Sequence, residues 1–394
     1  MTATDARGAS GTAVSPAVAV AASNGTGGLD AALRGALALD SSEAVCQLVV
    51  AAADDSAADE AVFGDLLAAL DDARALADAT PESVLQFAAA LRAPTASAAG
   101  TAPLSAAAAG AALAQARNLS RDLEATSRAS DSGGLDATAA ADLAAVLGDV
   151  LDSDAFAAPG GARRRLGSSA SAAALEASVD DVARSLVNSA VAGEAARRAD
   201  APSLAVVGAR GAAGSTVVVA ARGATAATSA PGDFDALLSA FAVDPHGDGA
   251  LVATSASTVR FERPAVAGGR RLAESAPGNV TLRLPGNNAT LSAGRSANVT
   301  LSCPWNYAGV VFGVCPYDNS TVNATCDRVK EEKVVVCGEA YVDACVGWDG
   351  DAWSAEGCAT VAGDDGGVAC VCDVGEEAAD YATAEQVEAG AGQE

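Results

Sequence analysis

Isoleucine is absent from this 394-residue chain, methionine and histidine occur once each, lysine occurs only at Lys330 and Lys333, and aromatics make up 4%. The hydrophobic share is still 50%, so the core must be assembled from small side chains. Arginine, alanine, glycine and valine stand in the missing residues' places, a pattern that GC-rich coding produces without functional demand. One histidine, no nucleophile elbow and no phosphate-binding glycine loop argue against the usual catalytic types. The chain is therefore read as non-enzymatic and without a cofactor. A formal net charge of −26 argues against nucleic acid as a partner, because backbone affinity comes from counterions displaced by a basic surface. It equally disfavours an anionic membrane face. No apolar run approaches the ~20 residues that span a bilayer.

The sole histidine, His246, lies in "DPHGDGAL". Asp244, His246, Asp248 and Gly249 are arranged faintly like a calcium loop, but Ser255 stands where the loop needs Glu, so a turn and no metal are expected. Arg163 to Arg165 and the pair Arg270 and Arg271 sit in Gly/Ser/Pro-rich context. They read as exposed loops; the alternative is a processing-protease site, since multibasic loops are accessible to cleavage.

From about Leu29 to Arg198 the apolar spacing is helical. "TPESVLQFAAALRAP" offers Thr80 as N-cap, Pro81 at the first helical position and Pro94 as the stop. Leu143, Val146, Leu147, Val150 and Leu151 share one helix face, as do Leu175, Val179, Val182 and Leu186. After about Ala201 the segments become short, Val/Thr-rich and separated by Gly, Pro, Asn or Asp: "SLAVVGA", "STVVVAAR", "STVRFER", "NVTLRLP", "ANVTLSC", "AGVVFGV" and "EKVVVCG". These predict antiparallel strands, with "GDFDALLSAFAVDP" as one or two helical turns between them. The fold class expected is α+β, an N-terminal helical subdomain followed by a disulfide-stapled antiparallel β-sandwich. Its divisions are a disordered segment at 1–28, helices at 29–200, the sandwich at 201–374 and an acidic tail at 375–394.

Eight of nine cysteines lie between Cys303 and Cys372, and in a chain so poor in histidine this density reads as a disulfide framework formed in an oxidising compartment. Cys46, on a predicted helix, reads as a buried thiol. Seven Asn-x-Ser/Thr sequons agree with the compartment: Asn24, Asn118, Asn279, Asn288, Asn298, Asn319 and Asn323. Five of them, Asn279, Asn288, Asn298, Asn319 and Asn323, fall where the cysteines begin and are the glycosylation candidates. The N-terminus has no basic start and a weak apolar centre, so it is not read as a signal peptide, and a leader beyond this reading frame is expected. Cys303, Cys315, Cys326 and Cys337 recur at intervals of 12, 11 and 11. Alternate and neighbouring pairings both fit, giving a stapled hairpin or, with Trp305, Tyr307, Phe312 and Tyr317 nearby, a small ligand-binding insert.

"CVGWDGDAWSAEGCATVAGDDGGVACVCDV", residues 345–374, places two of the three tryptophans among four cysteines. Cys370-Val-Cys372 has one residue between its thiols, fewer than structural zinc sites use. In order and spacing, Cys345, Trp348, Trp353, Ser354, Gly357, Cys358, Cys370 and Cys372 resemble the GPCR proteolysis site motif. That motif ends the GAIN domain of adhesion receptors and polycystin-like proteins. The resemblance covers about 30 residues of motif, and the family's order of helical subdomain and sandwich extends it to the architecture. It implies bonds from Cys345 to Cys370 and from Cys358 to Cys372. In a chain short of large side chains, the apolar area of Trp348 and Trp353 is then expected to cover the first.

Cleaving members of that family follow the last cysteine with a His base, a Leu and a Thr or Ser nucleophile. Here an ungapped alignment sets Val374, Gly375 and Glu376 at those positions. With three residues inserted, Ala379 takes the nucleophile's place and Ala379-Asp380-Tyr381-Ala382 matches the family's Thr-Asp-Phe-Ala. Neither alignment supplies a nucleophile, so no self-cleavage is expected, and the acidic ending is read as lacking the apolar strand that follows the cleavage point. The resemblance implies an extracellular module of a membrane receptor or polycystin-like protein, in adhesion or signal relay. Its partners would be an extracellular protein or glycan and a transmembrane region downstream. The other reading is a secreted structural glycoprotein of matrix or cell wall.

Overall fold

The computed structural model describes residues 2–4, 10–12, 26–56, 60–129, 135–153, 169–188, 190–229, 233–242, 252–262, 280–284, 297–315, 321–337, 341–348, 353–362, 368–372 and 379–387. Helices α1 (Thr26–Ala38), α2 (Ser42–Ser56), α3 (Glu60–Leu76), α4 (Pro81–Thr101), α5 (Ala106–Ala129), α6 (Leu135–Leu151) and α7 (Ser169–Asn188) come first. They pack α5 on α7, α4 on α6 and α2 on α4. Ala88, Ala90, Ala112, Ala116, Ala140 and Ala144 are fully buried where the helices meet. The two predicted apolar faces, Leu143 to Leu151 on α6 and Leu175 to Leu186 on α7, are buried to within 1%.

Local sequence sets the start of α4 but not its end. Thr80 caps the helix in a reciprocal box with Ser83, whose N–H donates to Thr80 Oγ1 at 3.2 Å. Pro94 does not stop it: the helix runs on to Thr101 with the proline inside and buried. Thr95, fully buried, donates its hydroxyl to Leu91 O at 2.7 Å. Burial of Leu91, Pro94 and Thr95 on one face outweighs the backbone bond that proline forfeits.

Within the segment read as disordered, β1 (Thr2–Thr4) pairs with β2 (Ser10–Thr12) as a short ribbon. The sandwich begins at β3 (Arg197–Asp200), slightly before the boundary expected at 200. It continues through β4 (Leu204–Gly211), β5 (Thr216–Ala221), β6 (Ala224–Ser229), β7 (Phe234–Phe241), β8 (Val252–Glu262) and β9 (Val280–Leu284). Next come β10 (Ala297–Cys303), β11 (Ala308–Val314), β12 (Thr321–Asp327) and β13 (Glu331–Cys337). The chain closes with β14 (Tyr341–Trp348), β15 (Trp353–Ser354), β16 (Cys358–Ala362), β17 (Val368–Cys372) and β18 (Ala379–Val387). One antiparallel sheet has the order β15-β14-β18-β8-β7-β4-β3, and the facing one β16-β17-β9-β6-β5.

The helices cover the outer face of the larger sheet, so the architecture is helix layer, sheet, sheet. On β4, Leu204 and Val206 join the helical core while Ala205, Val207 and Ala209 join the core between the sheets. Strand β7 is buried at all eight positions for the same reason. This corrects the expectation of helical turns there. Phe234, Leu237, Leu238 and Phe241 recur at helical spacing, but a strand covered on both faces is continuously apolar, and periodicity does not separate the two.

The tail reading is also corrected. Ala379–Val387 is β18, hydrogen-bonded to β14 on one side and β8 on the other. Adjacent residues serve opposite layers: Tyr381 packs between the sheets and Ala382 against the helices. These two interior residues give a strand in a largely acidic sequence one anchor in each core.

The joint between helices and sheet carries a perturbed carboxyl. Burial, reinforced by the Asp152 charge and opposed by Arg92, pushes Asp149 up to about 6 from its ordinary 3.8. Asp152 itself accepts from Ser203 Oγ at the start of β4. Because the folded value exceeds the unfolded one, the neutral form is favoured by folding. The associated stability is present below about pH 4 and lost as pH rises through about 6. Asp149→Asn is therefore expected to raise stability at pH 7 by about 1–2 kcal/mol, after discounting for partial exposure, with the gain disappearing towards pH 4. Urea unfolding midpoints of both proteins across that range check this; a gain independent of pH would show another cause.

Candidate functional site

The cysteine-tryptophan segment spans both sheets. Cys345 on β14 of the larger sheet is bonded to Cys370 on β17 of the smaller one, with a Cα–Cα distance of 5.8 Å and both residues at most 1% exposed. Cys358 and Cys372, directly opposite in the β16–β17 register, form the second bond. These are the pairs implied by the resemblance. The first is a staple between layers, and the second lies within one ribbon.

Thr360 stands opposite Cys370 in that ribbon, and its Oγ1 accepts the Cys345 N–H at 2.9 Å. Backbone and sulfur of Cys345 are thus both held from the facing sheet. The tight turn into β16 explains Ser354 and Gly357: Ser354 Oγ accepts from Glu356 N–H at 3.1 Å, and Gly357 takes φ +82°, a region that residues with a Cβ enter at a cost.

The tryptophans do not cover the bridge. Trp348 and Trp353 are cross-strand partners on β14 and β15, with ring centroids 5.4 Å apart at 65°, an edge-to-face pair. Trp353 packs against the helical core, on the opposite side of the sheet from Cys345. The pleat sends alternate residues to opposite faces, so Trp348 and Val346 share the helix-side face and Cys345 the other. Tyr381 of β18 takes the covering role: it shares the inter-sheet core with Cys345 and Cys370 and pairs in register with Gly347. The sequence offered this residue only through its match to the family's Phe under the three-residue insertion.

Strands β10 and β13 form one ribbon, β11 and β12 another. Cys303 is bonded to Cys326, the alternate pairing, which joins the two ribbons. Cys315 is disulfide-bonded as well, and the Cys337 side chain lies outside the described residues. The ribbons stack closely: a Cβ on Gly313 would stand 2.6 Å from Leu301 Cδ2 and 3.0 Å from Val299 Cγ1, so a side chain there would make those two residues shift. Trp305 is 71% exposed and Phe312 67%.

Asn298 and Asn323 lie exposed on β10 and β12. Asn118 differs: it sits within α5, half-buried, followed by buried Leu119 and Ser120. Asn24, Asn279, Asn288, Asn319 and Tyr317 lie outside the described residues, as do the His246 segment, the arginine clusters at 163–165 and 270–271, and Val374, Gly375 and Glu376. Cys46 is a free, buried thiol whose pKa burial pushes up to about 12. Among the described residues no helix is long and apolar enough to cross a membrane, and no group of three His, Cys, Asp or Glu side chains is placed to hold a metal ion. No protein-family model matches the chain, and no curated protein sequence matches it.

Proposed function

We propose that this chain is a non-catalytic extracellular module of the GAIN type, passing adhesion or tension to whatever follows it. The observation that carries the reading is the Cys345–Cys370 bond joining the two sheets beside a C-terminal strand that lies between β14 and β8. A load applied to that strand would be shared by two strand ladders and an inter-sheet covalent link. The start of β18 at Ala379 suits the alignment with three inserted residues. That alignment places a methyl group where a nucleophilic hydroxyl would be needed.

Two measurements test the reading. On a reducing, denaturing gel the secreted chain is expected to run as one species; fragments dividing near residue 376 would overturn the absence of self-cleavage. Protein from its natural source, denatured without reductant, is expected to take up one maleimide, at Cys46. Uptake at all nine cysteines would place the chain in a reducing compartment and remove the extracellular reading.

A further inference from the structure

The outer face of the β11–β12 ribbon is unusual for a water-exposed surface. Val310, Phe312 and Val314 are 41%, 67% and 61% exposed and lie in one row along β11. In register opposite them stand Thr325, Asn323 and Thr321, so Phe312 faces Asn323 directly. Asn323-Ala324-Thr325 is a sequon, and both its asparagine and its threonine are exposed on this same face. The other ribbon repeats the arrangement: Thr300, the hydroxyl residue of the Asn298 sequon, pairs with Val334, which is 61% exposed.

We propose that Asn323 carries an N-linked glycan whose first sugar lies across Phe312 and covers the apolar row. The inference rests on the extracellular reading above, since the modification belongs to the secretory pathway. Directly opposed residues in an antiparallel pair have Cβ atoms about 5 Å apart, so a pyranose attached to Asn323 reaches the Phe312 ring without displacing either strand. The C–H groups on one face of N-acetylglucosamine carry partial positive charge and are attracted to the negative face of the ring. The sugar's hydroxyl and amide groups keep the three polar partners solvated. A folded protein docking here would instead bury Thr321, Asn323 and Thr325 without assured hydrogen bonds.

The chemistry is a single transfer. The Asn323 side-chain nitrogen forms a bond to the anomeric carbon of a lipid-linked oligosaccharide diphosphate donor. The bond from that carbon to the diphosphate oxygen breaks, the lipid diphosphate leaves, and the amide nitrogen gives up one proton.

The full chain would be secreted from animal cells as wild type, Thr325→Ala, Phe312→Ser and the double variant, with site occupancy read by mass spectrometry. Occupancy at Asn323 is expected. Loss of the glycan, by Thr325→Ala or by amidase treatment of the folded protein, is expected to speed hydrogen exchange in β11 and β12 about five- to tenfold when Phe312 is present. With Phe312→Ser it should change exchange by less than about twofold. Occupied Asn298 with bare Asn323 would overturn the proposal and leave the extracellular reading standing. So would equal effects of glycan loss in both backgrounds, or a glycosylated dimer that Phe312→Ser dissolves. No occupied sequon anywhere would remove both.

Discussion

Replacing Cys345 and Cys370 together by alanine is expected to cost the sandwich about 3 kcal/mol or more. The two residues are separated by 25 positions, and closing a loop of that length restricts the unfolded chain by roughly 3 kcal/mol in the chain-entropy model. Loss of the two buried sulfurs from the inter-sheet core adds a packing deficit, because both cysteines are at most 1% exposed. The corresponding pair variant at Cys358 and Cys372 closes a shorter loop of 14 and leaves one partner half-exposed, so it should be the milder of the two. The three tryptophans, Trp305, Trp348 and Trp353, all lie in the β half, so their fluorescence in a non-reducing urea titration follows that half and, through Trp353, its contact with the helices. Alanine variants ranking in the opposite order would mean that the motif's stability comes from the β16–β17 ribbon and not from the link between sheets.

How much of this was legible beforehand depended on how many faces each element buries. Helices α6 and α7 bury one stripe, and their Leu and Val spacing locates it from the residues alone. Strands β4, β5, β8, β9, β10, β11 and β13 were visible as Val/Thr-rich runs bounded by turn residues. Strand β7 was not, because both of its faces are covered and Phe234 to Phe241 satisfies a helical pattern equally well. Pro94 was read as a stop because the local rule ignores what lies beyond, where α4 still has core to cover.

Within the site, the cysteine order carried the pairing by resemblance, while the direction in which the tryptophans point did not follow. That direction is fixed by the pleat: Cys345 faces the second sheet, so Trp348, three residues on, faces the helices. Asp149 was hidden among ordinary acidic helix residues: Asp152 stands one turn away in the sequence, but the burial that chiefly raises Asp149 comes only with tertiary packing.

Ending the chain after Ala378 is expected to abolish cooperative unfolding of the sandwich, a larger effect than that of either disulfide. Without β18 the seven-stranded sheet divides between β14 and β8, and two rows of backbone N–H and C=O groups lose their partners. Both cores are opened at once, because Tyr381 and Ala382 leave opposite faces of the same strand. The point variant separates packing from pairing: Tyr381→Ala keeps the strand but should cost about 3–5 kcal/mol, the range for deleting a buried aromatic. Tyr381 is only 4% exposed, and its neighbour across the strand, Gly347, offers no side chain to fill the space. Tryptophan fluorescence and near-ultraviolet circular dichroism of the truncated chain would decide between the alternatives. A retained, cooperative transition would show β18 to be an accessory that can leave the sheet intact. Its loss would mean that the strand cannot be withdrawn without unfolding the sandwich. On the proposed reading that is the property a non-cleaving relay requires: tension at the C-terminal strand is resisted by the whole sheet and by the Cys345–Cys370 link.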